Sequence, residues 1–209
     1  MKFQVAFDIV DLDKSIAIAK EIENYVDILE VGTLLIYKYG QEAVKIFRQE
    51  FPQKTILVNS KIADQSRDVV SMFAQAGADW ITVLAGAPRN VIHTASLVAH
   101  EFGKKIMLDL LDVSSIGQSA LEAKSLGVDA LIFHKPESQN SQAMLYERWE
   151  MVKGNTQVPI FIASNASREN IAEILSIGAN GIIVSKVVTN ANNPVEEAIY
   201  FSNIINNLE

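Results

Sequence analysis

The chain has 209 residues, 49% of them hydrophobic and 21% charged, with a net charge of −7, so it is a globular chain with one sizeable core, and a basic nucleic-acid or anionic-membrane surface is excluded. It contains no cysteine, which excludes disulfides, thiolate metal sites and cysteine nucleophiles. No window reaches the roughly eighteen apolar residues of a membrane span, and residues 1–4 lead straight into a strand pattern without a signal-type stretch; a cytoplasmic protein is expected.

The first strand is predicted over residues 3–7 and stops at Asp8. Asp11 to Asp13 open a helix whose apolar stripe is Ile16, Ala19, Ile22 and Val26. A second strand over 27–30 ends at Glu30, and a third over 55–58 gives way to Asn59 and Lys61, with Asp64 just beyond. Ser66 marks the next helix start, and Val69, Met72, Phe73 and Ala76 form its stripe. Ser15 and Ser66 read as caps, not nucleophiles, since no histidine accompanies them in pattern.

A fourth strand is predicted over 80–84, beginning at Trp80. His93 and His100 fall at helical spacing without a third ligand, which reads as helix surface or packing. The fifth strand, 105–110, carries Asp109, and Ser114-Ser115 follow as a helix start. The sixth, 130–133, ends at His134. Trp149 sits on a helix with Met144 and Leu145 as core or interface. The seventh and eighth strands cover 160–162 and 181–184, with Ser167 as a cap between them.

Gly77-Ala78-Asp79, Gly127-Val128-Asp129 and Gly178-Ala179-Asn180 recur about every fifty residues between a helix and a strand, the length of two βα units. Each glycine suits the left-handed residue that ends a helix. Eight strands, eight helices and no long linker predict one (β/α)8 barrel spanning residues 1–209. An open doubly wound sheet would also alternate, but no strand is followed by G-x-G-x-x-G.

In such a barrel functional groups gather where strands end. Asp8, Glu30, Asn59, Lys61, Asp109 and His134 stand there, with Asp64 nearby. Any one carboxylate could simply cap the next helix. Their convergence on one rim requires a cation among them, and Lys61 can supply it. Lys61 reads either as an ammonium that stabilises an anion developing on a substrate or as a surface lysine paired with Asp64.

At these residues the chain resembles the hexulose-6-phosphate synthase and 3-keto-L-gulonate-6-phosphate decarboxylase group of the orotidine 5′-monophosphate decarboxylase superfamily. The resemblance covers residues 1 to about 135 and extends more loosely to the end. It is carried by Gln4-Val5-Ala6-Phe7-Asp8, Glu30-Val31-Gly32-Thr33, Lys61-Ile62-Ala63-Asp64, the segment from Ala76 to Val83, Met107-Leu108-Asp109 and His134. It implies that Asp8 contacts sugar hydroxyls and that Glu30 binds a magnesium ion. The family motif D-x-K-x-x-D supplies a metal carboxylate, a lysine that steadies an enediolate and an aspartate lent across a dimer interface; Lys61 and Asp64 match the last two. Asp109 and His134 match groups near the reacting carbons. A homodimer acting on a small phosphorylated sugar is implied.

The departures are specific. Asn59 replaces the first aspartate, so it offers magnesium a carbonyl in place of a charge, and magnesium should bind more weakly. The phosphate loops, glycine-rich in the family, read Ala163-Ser164-Asn165-Ala166 and Ser185-Lys186. Ser164, Asn165 and Ser185 can donate hydrogen bonds, and Lys186 can hold a phosphate as a point charge. Lys135-Pro136-Glu137 matches neither branch of the family. Two functions follow: a magnesium-dependent lyase acting on a ketose phosphate, or a phosphosugar-binding paralogue that acts as a sensor or partner subunit.

Overall fold

The computed structural model describes residues 1–134 and 142–206. Eight parallel strands pair in chain order and the first closes on the eighth: β1 (Lys2–Phe7), β2 (Ile28–Val31), β3 (Thr55–Ile62), β4 (Trp80–Leu84), β5 (Lys105–Asp109), β6 (Ala130–His134), β7 (Ile160–Ala163) and β8 (Gly181–Val184). This is the expected (β/α)8 barrel. Every expected strand is present, with ends shifted by at most one residue, except that β3 runs four residues further and takes in Asn59 and Lys61.

Helices α1 (Leu12–Ile22), α2 (Thr33–Tyr39), α3 (Gln41–Glu50), α4 (Ser66–Gln75), α5 (Arg89–Glu101), α6 (Ile116–Ala123), α7 (Gln142–Lys153), α8 (Ile171–Ser176), α9 (Lys186–Thr189) and α10 (Pro194–Asn206) surround it. The count exceeds eight because two connections are split. Gly40, at φ 58°, separates α2 from α3, and the short α9 precedes α10. Along α4 the buried apolar residues are Val70, Phe73 and Ala74, with Ala76 just beyond; of the expected stripe Phe73 and Ala76 are buried, while Val69 and Met72 are only half-buried. The serine caps also differ. Asp11 caps α1, accepting from the Lys14 amide at 2.9 Å, while Ser15 lies inside the helix with its hydroxyl on the Asp11 carbonyl. Ser66 is the first residue of α4, behind a left-handed Gln65, and makes no side-chain cap; Ser115 makes none either. The Ser167 hydroxyl donates to Glu169.

Strand alternation sends one residue in two to the barrel interior. Ala6, Ile28, Leu57, Met107, Ala130, Ile132, Phe161 and Ile183 fill it, with Trp80 and Ala163 against them. Gly181 is required there, because a Cβ would meet the Phe161 ring at 2.4 Å. The other strand faces pack on the helices in a larger core, where Phe7 meets Phe47 at 5.5 Å and Phe133 meets the buried Trp149 edge-on at 5.5 Å. His93 and His100 are exposed on α5, and His100 meets Asp129 at 3.0 Å.

The fifty-residue repeat has a physical meaning at the base of the barrel. Gly77, Gly127 and Gly178 all have positive φ. The polar residue two positions later accepts the amide that starts the preceding odd-numbered strand: Asp79 from Ile56, Asp129 from Ile106 and Asn180 from Ile160, each at 2.8–2.9 Å. Asp27 does the same for Phe3 at 2.8 Å. Four equivalent ties therefore hold β1, β3, β5 and β7 at the end away from the rim.

Candidate active site

The alternation that fills the barrel also carries polar side chains up to its carboxyl-end mouth. Gln4 and Ala6 point inward on β1, so Asp8 does too. Glu30 follows Ile28, Asn59 follows Leu57, Asp109 follows Met107, His134 follows Ile132, and Ser185 follows Ile183. They meet in a cavity of about 940 Å³ lined by Asp8, Glu30, Asn59, Lys61, Asp109, His134, Ser164, Asn165, Ser185 and Lys186, together with Thr33, Asp112 and Arg148. Every expected site residue but one lines it. Asp64 is exposed and its carboxylate accepts from the Gln65 amide at 2.7 Å; it stands outside this cavity. The Lys135-Pro136-Glu137 segment lies outside the described residues.

Lys61 reaches the cavity through a break in regular pairing. Val58 pairs with Ile81 but Ile62 pairs with Val83, so β3 carries extra residues over β4. Lys61 takes up φ 48° there, its amide donates to the Thr82 hydroxyl at 2.9 Å, and the Ser60 hydroxyl donates to the Thr82 carbonyl at 3.0 Å. Such a bulge re-aims a side chain. The Lys61 ammonium then lies 2.6 Å from Asp109, not beside Asp64. The surface-lysine reading is thereby removed.

Asp109 is fully buried and holds two partners: Lys61 on one oxygen and His134 Nε2 on the other, each at 2.6 Å, with the Leu111 amide at 3.0 Å. Burial alone would raise its carboxyl, but His134 and Lys61 outweigh it and hold Asp109 below the usual carboxylate range. It is therefore an anion at neutral pH, and it fixes both neighbours in place.

The opposite wall behaves differently. Glu30 is 2% exposed. Its oxygens accept from the Gln4 side-chain amide at 2.6 Å and from the Asn59 side-chain amide at 2.7 Å. Burial, reinforced by the charge of Asp8, pushes Glu30 up to about 7. Asp8 is also raised by burial, against the Thr33 amide at 3.1 Å and the charges of Lys61 and Lys186. Gly32 permits that Thr33 contact, since a Cβ there would meet Asp8 Oδ1 at 2.4 Å and the Phe7 carbonyl at 2.5 Å.

Two destabilised carboxyls facing one cavity fit a divalent cation, which would offset both burial and repulsion. Among the described residues no three acidic or histidine side chains form a ready cage, so an ion would be held by Glu30, with Asp8 beside it, and by ligand oxygens, as magnesium commonly is. Asn59 adds no charge to this wall. Its amide N–H faces Glu30, and its carbonyl accepts from Thr82 at 3.2 Å.

Sequence reasoning missed Gln4, Thr33, Thr82 and Arg148. Gln4 was within reach, because it shares the parity of Asp8 on the same strand. Thr82 shares the parity of Trp80. Arg148 carries its own signal, three residues beyond Leu145 on the apolar stripe of α7. No helix among the described residues is long and apolar enough to cross a membrane.

Comparison with known proteins accords with this fold. A model described as the Orotidine 5'-phosphate decarboxylase / HUMPS family matches residues 1–200. A 3-hexulose-6-phosphate synthase of Bacillus subtilis is 30% identical over 211 residues, covering 98% of this chain and 99% of that one. The crystal structure of a 3-hexulose-6-phosphate synthase from Salmonella typhimurium superposes with a TM-score of 0.92 at 27% identity, covering 100% of both chains. A 3-keto-L-gulonate-6-phosphate decarboxylase structure from Vibrio cholerae shares the fold, with a TM-score of 0.86 at 24% identity, covering 100% of this chain and 98% of that one.

Proposed function

The chain belongs to the Orotidine 5'-phosphate decarboxylase / HUMPS family, and from that premise we propose that it is a carbon–carbon lyase acting on a ketose phosphate through an enediolate. The observation that carries this reading is the row Lys61–Asp109–His134, joined at 2.6 Å on each side and opening into the cavity. Held 2.6 Å from the buried Asp109 and lining the cavity, the Lys61 ammonium is positioned to stabilise negative charge as it develops on substrate oxygen. His134, oriented by Asp109, is the group that moves a proton at the reacting carbon. Asp8 binds sugar hydroxyls. Ser164, Asn165, Ser185 and Lys186, at the ends of β7 and β8, take the phosphate. Magnesium held at Glu30 would supply Lewis-acid polarisation of the substrate oxygens. Asp64, exposed and outside its own cavity, is lent to the second subunit of a homodimer. The reaction belongs to the cytoplasm.

The test is a paired assay, for formaldehyde-dependent condensation with ribulose 5-phosphate and for decarboxylation of 3-keto-L-gulonate 6-phosphate. Turnover of either that disappears in Lys61→Ala supports the reading. Silence on both substrates, with a folded protein, removes it for them. A second reading has its own support: the Asn59–Glu30 hydrogen bond and the serines where the family has glycines favour a phosphosugar-binding paralogue. Binding of ribulose 5-phosphate without turnover is its expected result.

A further inference from the structure

Helix α7 carries a charge where its apolar stripe calls for a hydrophobe. Leu145, Trp149 and Val152 are buried against the barrel. Arg148 lies between the first two on the same side, half-buried, and its side chain lines the cavity. Its Nε is buried and has no hydrogen-bond partner among the described residues. Among the described residues no carboxylate pairs with it, unlike Lys61, whose charge is committed to Asp109. A guanidinium with one nitrogen shut off from water and no carboxylate beside it has donors left for an anionic ligand in the cavity.

Two further donors in this cavity share that condition. The Ser164 and Ser185 hydroxyls are buried and have no hydrogen-bond partner among the described residues. They follow β7 and β8, and α7 lies between β6 and β7, so all three groups belong to one side of the mouth. Lys186, beside Ser185, is exposed. We propose that Arg148 is the main anion-binding residue of this site, gripping the ligand phosphate by its planar fork, with the Ser164 and Ser185 hydroxyls replacing a glycine backbone cradle. This rests on the phosphosugar reading above and adds to it a residue from α7. A guanidinium binds two phosphate oxygens at once, where the Lys186 ammonium acts as a point charge.

The experiment is calorimetric binding of inorganic phosphate and of ribulose 5-phosphate to wild type, Arg148→Ala, Arg148→Lys and Lys186→Ala, with melting curves. Arg148→Ala should weaken phosphate by about 10- to 150-fold, the loss expected for hydrogen bonds to a charged group. Its melting temperature without ligand should not fall, because an unpartnered charge has been removed. Lys186→Ala should lose less. Should Arg148→Ala fail to fold, Arg148→Lys decides, since it keeps the charge and loses the fork. A several-fold weakening supports the proposal. Phosphate affinity unchanged in whichever variant folds overturns it. Ribulose 5-phosphate that binds no better than phosphate would sink the sugar-lyase reading and leave the role of Arg148 standing. Wild type that binds neither overturns both.

Discussion

Asn59 donates its side-chain amide to Glu30 across 2.7 Å, at the position where the family motif carries a second acid. The hydrogen bond holds Glu30 in place without adding charge, so this wall has one fully buried carboxyl with Asp8 beside it. Asn59→Asp should therefore tighten magnesium, and in a lyase raise turnover with it. Magnesium titration and the paired assay on both forms check this. A variant that melts lower, binds no ion more tightly and remains silent would sink the metal-assisted lyase.

Asp109 is the hub of the reactive row, with Lys61 and His134 on its two oxygens. Asp109→Asn keeps the shape and removes the anion that orders both. Turnover should fall by about 10²–10³-fold, the scale of losing one preorganised electrostatic contact. Steady-state kinetics with a melting curve separate this from unfolding. An unaltered rate in a stable variant would remove Asp109 from the chemistry.

Glu30 predicts how stability varies with pH. Its folded value of about 7 lies above the ordinary 4.5. Between these values the folded protein retains a proton that the unfolded chain releases, so stability declines as pH rises across that window, by about 3 kcal/mol at most. Asp109 acts with the opposite sign, because its stabilisation is lost only as pH falls through its depressed value. The melting temperature should therefore drop between about pH 5 and pH 8, and less in Glu30→Gln. Magnesium should restore more at the higher pH. Equal slopes in both proteins would show that Glu30 does not titrate there.

Asp64 lies outside the cavity of its own chain. If it acts in a second subunit, Lys61→Ala and Asp64→Ala should each be inactive alone, and a mixture should regain activity as hybrid dimers form. Light scattering should show a dimer at micromolar concentration. A monomer there, or a mixture as inactive as its components, is the contrary outcome.

Asp79 ties the Ile56 amide and meets both Arg48 and Lys104 at the base of the barrel. Asp79→Ala should cost about 1–3 kcal/mol, since a strand amide loses its acceptor. Activity per folded molecule should be unchanged, because the tie lies at the end opposite the site. Chemical denaturation and specific activity measure the two effects separately. A loss of activity without a loss of stability would contradict this division.

The sequence alone determined the architecture and most of the rim. Buried parallel strands announce themselves as short apolar runs, and each run stops at the polar residue that faces the mouth, so Asp8, Glu30, Asp109 and His134 could be read without coordinates. Pairing was beyond its reach. Lys61 is three residues from Asp64 and forty-eight from Asp109, yet it meets Asp109, because a bulge in β3 and a left-handed backbone turn it into the barrel. Asn59 read as a weakened ligand, and only the closed barrel shows its amide spent on Glu30. Arg148 lines the cavity because the packing of Leu145 and Trp149 turns that side of α7 toward the barrel. Periodicity is a local property of the chain and survives in one dimension. The choice of partner for a buried charge depends on strand closure and register, which bring together residues far apart in sequence.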